Sequence, residues 1–155
     1  MTVTSAAFKN NETIPKKYTG FGEDISPDLT VTGAPEGTAS FAVVLDDLDV
    51  PFQKIYTHWV IWNLPPAGVI PEGLPWGAVI GKPVSACQGT AWGKNRYRGP
   101  KPPFFMKTAH RYVFTVYALD CLLDIPESSD RKALIAAMDG HILDKADITG
   151  KFKRG

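Results

Sequence analysis

Cysteine is scarce in this chain, with two in 155 residues. Cys87 and Cys121 stand apart, without Cys-x-x-Cys spacing or a second pair, which argues against a disulfide framework or a zinc site. They read instead as small buried side chains. Long apolar runs are missing too: nothing approaches the roughly 18 residues that a membrane-crossing helix needs. The opening stretch MTVTSAAFKNNETIP lacks the basic-then-apolar order of a signal peptide, so a cytoplasmic location is expected. A surplus of charge is absent as well, since 17 Lys and Arg face 16 Asp and Glu for a net charge of +1. A nucleic-acid partner would ask for a basic excess or stripe, and none is present. No G-x-S-x-G elbow occurs, which argues against a serine hydrolase.

Turn formers, by contrast, are plentiful. The 14 Gly and 13 Pro residues are spread along the chain and cut it into short segments. That pattern predicts a mainly β chain of many short strands, an all-β sandwich or barrel, over one domain of residues 1–155. Phe41 to Leu45 is a continuous apolar run too short for a helix and reads as a buried strand. His58 to Leu64 reads the same way and is ended by Pro65-Pro66. Val113 to Leu119 is the clearest strand. Period-two alternation puts His110, Tyr112, Phe114, Val116 and Ala118 on one face, with Arg111, Val113, Thr115 and Tyr117 on the other. Arg111 therefore points away from His110, towards a structural ion pair.

One short helix is expected near the C-terminus, from Arg131 to Met138. Ser128-Ser129-Asp130 supplies its cap and Gly140 its stop. His141 to Thr149 suggests a second short helical turn, and Ile148 to Arg154 an edge strand protected by lysines. Pro65 to Pro83 reads as an ordered surface loop, with Leu74 and Trp76 giving it something to bury.

The chemistry concentrates in two motifs. The first is Asp47-Leu48-Asp49-Val50-Pro51 followed by His58-Trp59. The second is Tyr97-Arg98-Gly99-Pro100-Lys101-Pro102-Pro103 leading to His110-Arg111-Tyr112. Asp47 and Asp49, two apart on a strand, project in parallel about 7 Å apart. Parallel carboxylates on one strand do not flank a scissile glycosidic bond, which argues against glycoside hydrolysis. Two aspartates with two histidines could ligate zinc or manganese, but the spacing matches no metal motif. Pro102-Pro103 and Gly99-Pro100 stiffen the second motif, so little entropy is lost there on binding. Arg98 and Lys101 bring positive charge to its rim. Titratable groups beside rigid loops and aromatics are the materials of a small polar pocket.

Further segments fall in register with these. They are Ile14-Pro15 with Lys17-Tyr18, Ile25-Ser26-Pro27-Asp28-Leu29, Pro35 to Thr38 leading to Ser40-Phe41, Gln88-Gly89, Gly140-His141-Ile142-Leu143 and Thr149-Gly150. Taken in order, the whole set resembles the phosphatidylethanolamine-binding protein family, in its short bacterial and archaeal Raf-kinase-inhibitor-like branch. The resemblance implies an antiparallel β-sandwich with a few short helices and a small surface pocket for phosphate or phosphorylated head groups. Carried over residue by residue, the pocket is Asp47, Asp49, His58, Pro102, Pro103, His110 and Tyr112. It implies binding rather than catalysis, with no cofactor and no metal. Inhibition of a kinase or serine protease is the alternative, and a metal-dependent hydrolase the second. A small anionic ligand, such a protein partner and a homodimer are the associations left open; nucleic acid and membrane insertion are not expected.

Three positions depart from the family pattern. Leu48 replaces the first proline of the acidic motif, Arg98 stands where glycine is usual, and Phe104 to Ala109 forms a longer loop. Phe104, Phe105 and Met106 are placed to cover the pocket or form a contact patch. Two aspartates would repel an anion, so binding is expected to require protonated His58 and His110, each held by a carboxylate.

Overall fold

A computed structural model describes residues 1–155. Nine strands form two antiparallel sheets. The smaller holds β1 (Thr2–Thr4), β2 (Leu29–Thr32) and β5 (Val69–Ile70), in the order β1-β2-β5. The larger holds β3 (Ser40–Asp47), β4 (Tyr56–Leu64), β6 (Val79–Ile80), β7 (Ala86–Gln88), β8 (His110–Leu119) and β9 (Ile142–Phe152). Their order is β6-β7-β4-β3-β8-β9. The sandwich is thus the expected mainly-β architecture. No helix is long and apolar enough to cross a membrane.

The continuous apolar run of β3 has a simple cause: the strand is central and covered on both faces. Phe41, Val43 and Leu45 pack with Leu29, Val31 and Ile70 of the small sheet, in a core that also takes Trp59, Phe114 and Val116. Ala42 and Val44 face the other way, onto Val60, Trp62, Leu134 and Met138. The last two belong to the single α-helix, α1 (Arg131–Met138). Large sheet, small sheet and helix therefore make three layers, with the large sheet in the middle.

Asp130 caps α1 by accepting from the Ala133 N–H at 3.0 Å, and Gly140 leaves it with φ +81°. A second helical turn at His141 to Thr149 does not form. Strand β9 runs through that segment, paired with β8 from His110↔Phe152 to Leu119↔Ile142. The open edge of β8 gives its backbone ladder partners that a short polar helix would lack. The Pro65 to Pro83 segment carries β5 and β6 and buries Ile70, Leu74 and Ile80, but of the two anchors expected from the sequence only Leu74 is buried. Trp76 is exposed and lies under the Arg96 guanidinium, 3.8 Å from its ring. Buried Gln88 fixes this segment from within. It accepts from Trp59 Nε1 at 2.7 Å and donates to the carbonyls of Pro75 and Gly77 at 2.9 Å. Both cysteines are half-buried rather than buried.

Candidate functional site

The sheet alternation that fills the sandwich core runs out, at one end of the molecule, into polar residues. On β3 the core face continues from Leu45 to Asp47; on β8 it continues from Phe114 through Tyr112 to His110. Asp47 stands opposite Tyr112 in the ladder, so His110 is its diagonal neighbour on the same face. The Asp47 carboxylate accepts from His110 Nδ1 at 2.7 Å through one oxygen, and from the backbone N–H of Asp49 at 2.8 Å through the other.

His58 reaches the same place by an irregularity. Leu45 faces Trp59 across the β3–β4 ladder, but Asp46 faces Thr57, so His58 is the extra residue of a β-bulge. The bulge turns His58 to the same side as its neighbour Trp59. There its ring meets Tyr112 edge-on at 5.5 Å. Its Nδ1 lies 2.9 Å from the carbonyl oxygen of Arg98. That carbonyl belongs to a loop with no freedom to move. Gly99 donates to Asp24 at 2.7 Å, and a Cβ added there would lie 2.0 Å from the Tyr18 carbonyl oxygen. Arg96 grips the other oxygen of Asp24 at 2.9 Å.

Between these elements opens a cavity of about 140 Å³ lined by Asp47, Val50, Tyr56, His58, Trp92, Lys101, Pro102, Pro103, Met106, His110 and Tyr112. It is smaller than the roughly 300–1,000 Å³ of pockets that enclose drug-sized ligands. Hydrogen bonding fixes the imidazole tautomers. A carbonyl and a carboxylate can only accept, so His58 and His110 both carry their proton on Nδ1 when neutral. Each Nε2 then presents a lone pair. Trp62 Nε1 is the only buried polar side-chain atom without a partner, so neither Nε2, unbonded within the protein, is sealed from the cavity.

Burial, opposed in part by the Arg98 carbonyl and the Asp47 charge, pushes the His58 pKa below the ordinary imidazole value. Burial and then the Asp47 charge push the Tyr112 hydroxyl well above the ordinary phenol range, so it stays protonated. Lys101 is the one lysine or arginine in the wall, with its ammonium 6.0 Å from the centre of the Phe21 ring.

A model of the phosphatidylethanolamine-binding protein family matches residues 4–153. The chain belongs to that family. A UPF0098 protein of Pyrococcus horikoshii is 40% identical over 151 residues, spanning 97% of this chain and 75% of the relative. Another from Methanothermobacter thermautotrophicus is 39% identical over 162 residues, spanning 100% of both. Among solved structures, a phosphatidylethanolamine-binding protein homologue from Chlamydia trachomatis superposes with a TM-score of 0.87 at 34% identity, over 99% of this chain and 97% of its own. Escherichia coli YbcL, described as a new member of the mammalian phosphatidylethanolamine-binding protein family, gives 0.85 at 28%, over 99% and 98%.

In this family member six of the seven positions derived from the sequence line the cavity: Asp47, His58, Pro102, Pro103, His110 and Tyr112. Asp49 does not. Strand β3 ends at Asp47, and beyond it the Asp49 carboxylate turns outward to take the Arg111 backbone N–H, Nε and Nη2 at 2.8–3.0 Å. Those hydrogen bonds from Arg111 hold its pKa below the usual carboxylate range. Parallel projection of Asp47 and Asp49 is thereby corrected, and the four-residue metal set is not assembled. Burial by itself favours the neutral ring at His58.

Two wall residues escaped the sequence reading, Tyr56 and Trp92. Tyr56 precedes the bulge at the start of β4. Trp92 shares a two-residue turn with Gly93 between the bridge partners Ala91 and Lys94, with φ +59° and +69°. This is the type I′ geometry that normally carries Asn-Gly. A tryptophan there is strained, and contacts hold it: its ring lies 4.7 Å from Tyr56 and 5.3 Å from His58, with Arg98 above it at 4.1 Å. An aromatic residue where a turn asks for asparagine is the signal that would have found it.

Neutral His58 has a consequence for stability. Its folded pKa lies below its unfolded value of about 6.5, so the unfolded chain binds more protons as pH falls through that region. Stability is therefore full above about pH 6.5 and declines as the folded pKa is approached from above. Urea unfolding between pH 7.5 and pH 5 should show a steeper loss for the wild type than for His58→Gln. Parallel losses would contradict the assignment.

Proposed function

We propose that the cavity binds phosphate or the phosphorylated head group of a small molecule, without converting it. The observation that carries this reading is the double engagement of Nδ1 on His58 and His110, two residues of the cavity wall, which leaves both Nε2 atoms without a partner in the protein. Each becomes a charge-assisted donor when an anion enters and a proton comes with it. The Asp47 charge is offset in part by the donors on both of its oxygens. Lys101 brings positive charge to the rim, and Tyr56, Trp92, Pro102 and Pro103 exclude water around the ion pair. The cavity's small volume favours a tetrahedral oxyanion over a bulky organic acid.

Anion binding should therefore take up protons. Calorimetry with sulfate is suited to this, because sulfate does not itself titrate near neutrality, and buffers of different ionisation enthalpy report the protons absorbed. We expect fractional uptake per sulfate bound and an affinity that falls as pH rises, since the anion draws a proton onto histidine. Lys101→Ala should weaken binding about tenfold or more, and His58→Gln should reduce the uptake. Binding that is pH-independent and proton-neutral would overturn the reading, whatever its strength.

A second reading rests on a separate feature. Phe104 and Phe105 are 73% and 67% exposed on the loop between the proline wall and β8, in edge-to-face contact with each other at 5.7 Å. Such a paired aromatic patch beside a ligand cavity suits docking onto a kinase or serine protease. Purified enzymes of both classes, assayed with wild type and with Phe104→Ser/Phe105→Ser, decide it. Inhibition by the wild type alone supports docking through this patch; inhibition by neither or by both removes it.

A further inference from the structure

At the other end of β8, away from the cavity, three side chains of different chemistry converge. Asp120 and Cys121 follow directly on the last residue of β8, and His141 immediately precedes β9. One carboxylate oxygen, the thiol sulfur and one imidazole nitrogen lie within 4.8 Å of one another. Asp120 and His141 already touch, at 2.9 Å between Oδ1 and Nδ1. Their main chains are locked too: the Asp120 N–H donates to the His141 carbonyl at 3.0 Å, and Ser40 Oγ donates to the Cys121 carbonyl at 2.7 Å. The backbone is thus held while the three side chains keep freedom to turn.

We propose that Asp120, Cys121 and His141 bind a thiophilic divalent cation of the zinc class, with water completing a tetrahedral shell. Thiolate, imidazole and carboxylate together are a zinc donor set, whereas calcium and magnesium would ask for oxygen alone. Bond lengths of about 2.0–2.3 Å to such an ion place the ligand atoms about 3.3–3.6 Å apart. The sulfur must then close in by about 1 Å and the Asp120–His141 contact open slightly, which are χ rotations of half-exposed side chains. The thiol proton leaves to solvent as the ion arrives.

The position gives the ion a structural effect. Residues 120 and 141 are the two ends of the crossover that carries α1 from β8 to β9. A bond between them through a metal closes that loop in the folded state and leaves it open in the unfolded one. The bound ion should therefore stabilise the layer formed by α1, by an amount that grows with the logarithm of its concentration over its dissociation constant.

The test uses the metal alone on the whole protein. Cobalt(II) is titrated as an optical probe, then displaced by zinc, into wild type, Cys121→Ser, His141→Ala and a Cys87→Ser control. The substituted groups are half-exposed or exposed, so the variants keep the core intact. We expect one cobalt per chain, a thiolate-to-metal charge-transfer band in the near ultraviolet, and a melting temperature that zinc raises by several degrees. Cys121→Ser should abolish the band, and both Cys121→Ser and His141→Ala should weaken zinc at least tenfold. Cys87→Ser should leave everything unchanged. No saturable band, or a band that survives in Cys121→Ser, would overturn the site. Sulfate affinity is read in parallel, so that this result stands apart from that at the His58–His110 cavity.

Discussion

A carboxylate on β3 and an imidazole on β8, 2.7 Å apart across neighbouring strands, organise the rest of the candidate site. Asp47 is 3% exposed and His110 2%, so their contact is made in a medium where an unpartnered charge would be costly. Each justifies the burial of the other. Through its second oxygen Asp47 also sets the turn into Asp49, and through His110 it fixes which ring nitrogen is left for a ligand. Tyr112 packs against both histidines, nearly parallel to His110 and perpendicular to His58.

The site is paid for by local irregularity at its margins, while the strands that carry it are regular. The bulge at His58, the left-handed backbone of Trp92 and the close passage of Gly99 beside Tyr18 each depart from easy backbone geometry. All three bear on the same two groups, the His58 ring and the Arg98 carbonyl that orients it. Such clustering is what preorganisation requires: the polar atoms are in place before the ligand arrives, so little is lost in ordering them.

Much of this was legible in the order of residues. Alternation along Val113 to Leu119 assigned the core face of β8 and, by extension, the side from which His110 and Tyr112 enter the cavity. The Ser-Ser-Asp cap and Gly140 bounded α1. Asp49 could not be placed in the same way, because alternation holds only while a strand continues and β3 ends at Asp47. His58 lay on the expected side only through a bulge, which adjacency to Trp59 does not announce. Strand β9 was misread in part as helical because its polar, weakly periodic sequence has no preference of its own; the vacant edge of β8 decides its conformation. Trp76 likewise looked like a loop anchor, yet its stacking on Arg96 needs a partner twenty residues away in sequence.

The account rests on the tautomers of two imidazoles, and long-range nitrogen–proton correlation on labelled protein reads them directly. In the neutral state, His58 and His110 should both show a protonated Nδ1 and a bare Nε2. Protonation of Nε2 on adding an anion would follow from the same arrangement. A ring of either His58 or His110 carrying its neutral proton on Nε2 would mean that its Nδ1 is not held by the Arg98 carbonyl or the Asp47 carboxylate, and the account would fail there.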